Sequence, residues 1–303
     1  MTIPRRRFSS VRGSRGALAG EHLRGLVVRV LKQIGVVVGA AVVGSLAVGA
    51  AEGSWILALV VGAAAAAFAL FAYSWVVRKT EDRVPVEVAL AGSGSATARG
   101  LLIGVLMFGA VIAAIALGGG YEFKDTGSVT VALGLLGLLT VGAVAEELVF
   151  RGLLFRLVEE RGGTWVALAV SSVAFGAVHL ANPDATLWGV VAIAIEAGAM
   201  LGAAYAATRT LWLPIGLHLG WNFAAAGIFG TEVSGSDMTQ GLLHGVTSGP
   251  VILSGGDFGP EGSIYAVLAG SVLTVVFLLL AHRRGRIMPS RRRAAKVTAT
   301  ASV

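Results

Sequence analysis

The chain has 303 residues, of which 55% are hydrophobic and 14% are charged, and its formal net charge is +7. Because soluble domains carry about 25% charged residues, this composition excludes an ordinary soluble domain and indicates an integral membrane protein. Cysteine is absent, which excludes disulfides, thiolate metal sites and a cysteine nucleophile.

Apolar segments of membrane-spanning length recur along the chain. Residues 1–25 are rich in Arg, Ser and Gly and predict a flexible, basic tail. The first long apolar run begins near Leu26 and is of spanning length, which predicts a retained helix rather than a signal peptide. The fold class is therefore all-α, a polytopic membrane protein of about eight transmembrane helices. We place the spans at 27–50, 55–77, 101–119, 129–155, 165–181, 186–208, 211–229 and 264–281.

The connecting segments divide the chain into regions. Residues 81–100 predict a connector, and residues 230–263, rich in Gly, Ser, Thr and Asp, form the longest loop. The predicted regions are a basic cytoplasmic tail (1–25), N-terminal transmembrane helices (26–128), a core with buried polar residues (129–230), an extracytoplasmic loop (231–263) and a last helix with a basic cytoplasmic tail (264–303).

The distribution of charge predicts an orientation. Every Lys and Arg except Lys124 lies in a tail, in a connector that follows the second, fourth or sixth span, or in the part of a span that borders one of these. Basic residues collect on the cytoplasmic side, so we expect an even number of spans and both termini in the cytoplasm. The terminal Arg clusters are then orientation signals and contacts to membrane lipids, and we expect no nucleic-acid partner.

Two adjacent acids interrupt the apolar run 129–155. A carboxylate inside a membrane costs about 2.5–3.5 kcal/mol on insertion scales, so Glu146 and Glu147 require partners. Glu147 and Arg151 are four residues apart on one helix face, which predicts an ion pair. Glu146 points about 100° away and requires a different partner.

A hairpin brings a histidine to the same predicted depth. The fourth and fifth spans are joined by a polar turn at 161–164, and the middle of this turn is equally far in sequence from Glu146 and His179. If both helices are continuous, the two side chains lie level in the bilayer. His179 is therefore the predicted partner of Glu146.

Three further polar residues lie in later spans. His218 and Asn222 share one helix face, whereas Glu196 is predicted to support helix packing or to be a neutral carboxylic acid. A carboxylate and an imidazole can activate water, while a second imidazole and an amide stabilise an oxyanion. Alternatively, Glu146, His179 and His218 could bind a divalent metal that activates the water. The spacing does not choose between these two chemistries.

The same residues resemble the motifs of a family. Glu146–Arg151 resembles the Glu-Glu-x-x-x-Arg motif of the CAAX proteases and bacteriocin-processing enzymes, the CPBP family of intramembrane endopeptidases. Three further motifs follow in order over residues 130–230, with Ile195 where the third usually has an aromatic residue. They are Phe175-x-x-x-His179, Gly198-x-x-x-Gly202 and His218-x-x-x-Asn222.

The resemblance implies an eight-helix membrane protease with its protease core at 129–230. Glu146 and His179 would activate the water, and His218 and Asn222 would form the oxyanion hole. Glu147 and Arg151 would support the first of these helices. The family was long described as metalloproteases, but a metal-free, glutamate-dependent route is now favoured, so the cofactor is either none or a divalent metal such as zinc.

The resemblance also predicts the setting. We expect a bacterial plasma membrane and a peptide or protein substrate cleaved near the cytoplasmic membrane face. Eukaryotic members cleave prenylated proteins, but no prenylated substrate is implied in a bacterium; peptide or bacteriocin processing fits better. The rival hypotheses are a non-catalytic scaffold or bacteriocin-immunity protein and a proton-coupled transporter. The second rival is disfavoured because the sequence shows no inverted repeat.

Overall fold

The computed structural model describes residues 11–51, 53–236 and 241–291, with side chains from residue 24 onwards. Residues 1–10 and 292–303, which belong to the two predicted basic tails, lie outside the described residues. The fold is a bundle of helices, which we number α1 to α8. They are α1 (Val11–Gly49), α2 (Trp55–Glu81), α3 (Ser93–Leu117), α4 (Val129–Gly162), α5 (Thr164–Val178), α6 (Leu187–Thr208), α7 (Trp212–Asn222, extended by a π-helix at Phe223–Ile228) and α8 (Ile264–Arg283).

The predicted fold class is confirmed. Within the described ranges, 7 helices are long and apolar enough to cross a membrane. The remaining predicted span is α7, which continues into its π-helical extension and with it covers Trp212–Ile228. The chain is therefore an all-α, polytopic membrane protein.

Two boundaries differ from the predictions. Helix α1 begins at Val11, inside the predicted flexible tail, because no proline interrupts residues 11–49; its apolar, spanning part begins only at Arg24. Helix α3 begins at Ser93 rather than near 101, directly after Gly92, whose positive φ of 73° ends the preceding turn. The rest of the 81–100 connector contains a 3₁₀ turn at Val86–Val88.

A small antiparallel sheet was not predicted. Strand β1 (Tyr121–Thr126) pairs with β2 (Leu243–Thr247), so part of the 231–263 loop is regular structure. The Tyr121 ring also packs edge-on against Phe229, at the end of the α7 extension. The sheet therefore fixes the long loop to the connection between α3 and α4.

Glycines bring α3 and α7 into backbone contact. A Cβ atom on Gly104 would lie 2.3 Å from the carbonyl oxygen of Leu217, and one on Gly220 would lie 2.3 Å from that of Leu101. His218 is two residues from Gly220, about 200° around the helix, so it faces away from α3. The glycine contact thereby directs His218 towards the interior of the bundle, where α4 lies.

A network of ion pairs closes one end of the bundle, which we call the basic end because Arg78, Arg156 and Arg209 lie there. Glu87 is buried and accepts hydrogen bonds from Arg83, at 2.6 Å, and from Tyr73. Burial alone would raise the pKa of Glu87, but these hydrogen bonds outweigh it and lower its pKa below the ordinary value. Arg156 of α4 joins the network through Glu81, at 2.6 Å.

The segment after α8 is bound to the turn between α4 and α5. The Thr164 N–H donates to the Met288 carbonyl at 3.0 Å, and the Met288 N–H donates to the Thr164 hydroxyl at 2.8 Å. Arg291 donates to the Glu160 carbonyl at 2.8 Å. Part of the predicted basic tail is thus fixed to the helical hairpin that carries Glu146 and His179.

Candidate active site

Arg151 joins three helices at the centre of the site. Its Nη1 donates to Glu147 Oε1 at 2.8 Å, and both side chains are 0% exposed, so the predicted ion pair is confirmed. Its Nη2 donates to the carbonyl oxygen of Gly198 on α6 at 3.1 Å. Its guanidinium also lies 4.5 Å from the ring centroid of Phe175 on α5, within the range of a cation–π interaction.

Glu147 has a second partner that the sequence did not reveal. The Nδ1 atom of His218 lies 3.0 Å from Glu147 Oε1. Because a carboxylate accepts hydrogen bonds, this contact assigns the proton to Nδ1 and turns Nε2 towards Glu146. Glu147 therefore both neutralises Arg151 and orients the His218 ring.

Glu146 is separated from Glu147 as predicted, but its partner differs. The Glu146 side chain is 36% exposed, and its Oε2 lies 3.8 Å from His218 Nε2. Among the described residues, Glu146 has no ion-pair contact with His179, and their joint action on a water molecule stays a prediction. The prediction assumed continuous α-helices, whereas α4 becomes a π-helix at Leu148–Phe155 and α5 ends in a 3₁₀ turn at His179–Ala181.

His179 is buried and held by its own helix. Its Nδ1 lies 2.7 Å from the carbonyl oxygen of Phe175, one turn earlier. A carbonyl only accepts, so Nδ1 carries the proton and the Nε2 lone pair of the neutral ring is available. Phe175 packs against both imidazoles, with ring centroids 4.9 Å from His179 and 5.9 Å from His218.

The four residues predicted to be catalytic line one cavity. This cavity has a volume of about 780 Å³ and is bounded by Glu146, His179, His218 and Asn222. Apolar side chains of α1 form one side of it, and Ser234 and Ser236 of the long loop form another. The arrangement brings two possible acceptors, Glu146 and His179, and two possible donors, His218 and Asn222, to a common space.

The predicted metal alternative requires at least three ligand atoms around one point. Within the part of the chain that the structure describes, no group of three or more His, Asp or Glu side chains is placed to hold a metal ion. Glu147 at Nδ1 leaves the Nε2 atom of His218 facing Glu146 at 3.8 Å, an arrangement that suits activation of a water with or without a metal. We therefore derive the chemistry below from the side chains alone.

Three further acidic or hydroxyl residues are buried near the site. Ser234 and Glu261 of the long loop line a small second cavity with His179, His218 and Asn222. A single acid in a glycine-rich loop has no periodicity or motif, so the sequence offered no signal for Glu261. Glu196 is fully buried, and both of its carboxylate oxygens lack a hydrogen-bond partner among the described residues.

The predicted packing role of the third motif is consistent with the contacts. A Cβ atom on Gly198 would lie 2.9 Å from the Cα of Ser172 on α5, and one on Gly202 would lie 2.9 Å from Leu168. These glycines allow α6 to approach α5 closely enough for Arg151 to reach the Gly198 carbonyl. Packing and site geometry therefore depend on the same residues.

Membrane-spanning helices around an open cavity lined in part by carboxylate, imidazole and amide side chains define a class, that of polytopic membrane proteins with polar residues between their helices. Residues 127–224 match the family model of type II CAAX prenyl endopeptidase Rce1-like proteins. This match covers about a third of the chain and agrees with the resemblance of the motifs to the CPBP family, which suggests a membrane peptidase. No curated protein and no solved structure gives a significant match to the chain.

Proposed function

We propose that the protein is an intramembrane endopeptidase of the CAAX-protease type that hydrolyses peptide bonds by attack of an activated water. The observation that carries this proposal is that Glu146, His179, His218 and Asn222 face one cavity, while the neighbouring Glu147 is withdrawn to orient His218. The family match supports the reaction class, and the geometry supports the division of roles.

Glu146 and His179 are suited to activate the water. A water molecule has two protons to donate, and the Glu146 carboxylate and the His179 Nε2 lone pair are two acceptors on the same cavity wall. Glu146 takes the proton as the water oxygen attacks the carbonyl carbon. When the carbon–nitrogen bond breaks, the same carboxyl group returns this proton to the leaving amine.

His218 and Asn222 are suited to stabilise the oxyanion. In its protonated form the His218 ring donates from Nδ1 to Glu147 and presents an Nε2–H on the side of Glu146. Its Nε2–H and the Asn222 amide then donate to the oxygen of the tetrahedral intermediate. Arg151, neutralised by Glu147, keeps α4, α5 and α6 in register around this site.

The proposed setting is a bacterial plasma membrane with both termini in the cytoplasm. The basic end of the bundle would then face the cytoplasm. His218 is six residues into α7 from Trp212, about 9 Å from that end, which supports cleavage in the cytoplasmic half of the membrane. The proposed partners are membrane lipids and a membrane-bound peptide or protein, such as a bacteriocin-like peptide, and not a nucleic acid.

Cleavage of membrane-anchored peptides by the purified protein in liposomes tests this function. We expect Glu146→Ala, His179→Ala and His218→Ala each to lower kcat by about 10²–10⁴-fold. Glu122→Ala is a matched control, because Glu122 is exposed and pairs with Lys124 in the β-sheet. Full activity in Glu146→Ala would refute the mechanism, and partner binding that survives in this variant without any cleavage would favour the scaffold.

A further inference from the structure

Glu261 is a buried acid of the long loop that contacts the α7 site helix. It is 1% exposed, and its Oε1 accepts a hydrogen bond from Trp221 Nε1 at 2.6 Å. Its Oε2 accepts from the Ser234 hydroxyl at 2.7 Å and from the Ser234 backbone N–H. Within the described residues, no Lys or Arg pairs with it, so three neutral donors hold the carboxylate.

The residue that Glu261 holds has an unusual backbone conformation. Ser234 has a φ of +52°, in the left-handed region that residues other than glycine rarely adopt. Its carbonyl accepts from Asn182 Nδ2 at 2.6 Å, in addition to its two bonds to Glu261. Such conformations persist where surrounding contacts enforce them, and they are concentrated at functional sites. Ser234 lines both cavities of the site.

The other partner of Glu261 adjoins a predicted donor. Trp221 immediately precedes Asn222, and its ring also packs edge-on against Phe108 at 4.9 Å. The hydrogen bond and the ring contact hold the indole on two sides. The rotation of α7 at Asn222 is therefore fixed just before the helix changes to its π-helical extension at Phe223.

The small cavity between these groups has the size of a single water site. Its volume is about 10 Å³, and its polar lining consists of His179, His218, Asn222, Ser234 and Glu261. A cavity of this size can hold one water molecule. The lining supplies more than the two polar partners that such a water needs.

We propose that Glu261 is a positioning residue of the active site, which fixes Ser234 and Trp221 so that Asn222 and one buried water face both imidazoles. This inference rests on the proposed function. Glu261 lies outside the family-matched segment 127–224. The long loop is then a wall of the site and not only a connector.

The first test separates kcat from KM in the peptide-cleavage assay. We expect Glu261→Gln to lower kcat by between about tenfold and about 100-fold with little change in KM, because Asn222 is displaced rather than the substrate surface. Glu261→Ala should lower it further, since it also loses the acceptor for Trp221. Asp257→Asn, which changes an exposed acid of the same loop, is the control. Unchanged kcat in both Glu261 variants would overturn the proposal.

The second test does not depend on cleavage. Because the chain has no cysteine, Asn222→Cys provides a single thiol. Its rate of reaction with a small methanethiosulfonate reports how accessible position 222 is beside the long loop. We expect Glu261→Gln to raise this rate several-fold and Asp257→Asn to leave it unchanged. Failure of the unmodified protein to cleave any peptide would refute the proposed function. An equal labelling rate with and without Glu261→Gln would overturn the positioning role, whatever the cleavage assay shows.

Discussion

Removal of the Glu147 carboxylate tests whether one buried acid orients His218 and neutralises Arg151 together. Glu147→Ala would leave a fully buried guanidinium without its counter-ion and an imidazole without its Nδ1 acceptor. Breaking a buried pair by removing one partner costs about 3–5 kcal/mol, because the remaining charge is uncompensated. We expect a loss of this size in the free energy of unfolding.

A double-mutant cycle isolates the pair from the rest of the site. Arg151→Met removes the other charge, so Glu147→Ala combined with Arg151→Met should destabilise less than the sum of the single variants, by about 1–3 kcal/mol. Reversible unfolding in detergent micelles measures the free energy of unfolding of the unmodified protein, the two single variants and the double variant. Strict additivity, or a loss below about 1 kcal/mol for Glu147→Ala, would refute the reasoning.

The effect of Glu147 on catalysis should be separable from its effect on stability. Glu147→Gln keeps the size of the side chain but cannot stabilise a charged His218 ring. Loss of an orienting partner typically lowers activity about 10–100-fold in well-studied sites. We expect a loss of that order in kcat for this variant, and an unchanged kcat would show that Glu147 acts on stability alone.

Three further predictions concern packing, pH and metal. Gly104→Ala should destabilise by about 1–3 kcal/mol in thermal unfolding, because its Cβ would lie 2.3 Å from a carbonyl oxygen, whereas Gly39→Ala meets no atom within 4 Å and should be neutral. Since the folded pKa of Glu87 is lowered, its contribution to stability is present above the unfolded value of about 4.3 and is lost as pH falls through the folded value. The difference in Tm between the unmodified protein and Glu87→Gln should therefore shrink on acidification below about pH 4, and a difference that grows would contradict the sign. Peptide cleavage should survive extensive dialysis against EDTA, and restoration of a lost rate by zinc alone would require a metal site.

Local interactions were predictable from the sequence, and interactions across the fold were not. The spans follow from the length of apolar runs, and the Glu147–Arg151 pair follows from helical spacing. The bond from Glu147 to His218 joins residues 71 apart, and the contact from Glu261 to Trp221 joins residues 40 apart. Neither has a period or motif that marks it.

The predicted pairing of Glu146 with His179 depended on the regularity of two helices. The hairpin argument counted residues at a uniform helical rise, which holds only for an uninterrupted α-helix. The π-helix that begins at Leu148 changes both the rise and the direction of the side chains that follow it. Glu146 and His179 still line one cavity, and the His218 Nε2 atom lies 3.8 Å from Glu146 Oε2.

The reciprocal bonds between Thr164 and Met288 have a consequence for biosynthesis. The two residues are 124 apart, and ribosomes add about 5–20 residues per second, so the α4–α5 turn is made about 6–25 s before its partner exists. During that interval the hairpin that carries Glu146 and His179 is in the membrane without this constraint. We therefore expect the site to reach its final geometry only after the last helix has been synthesised. The helical hairpin would form first, and the segment after α8 that contains Met288 would bind to it last.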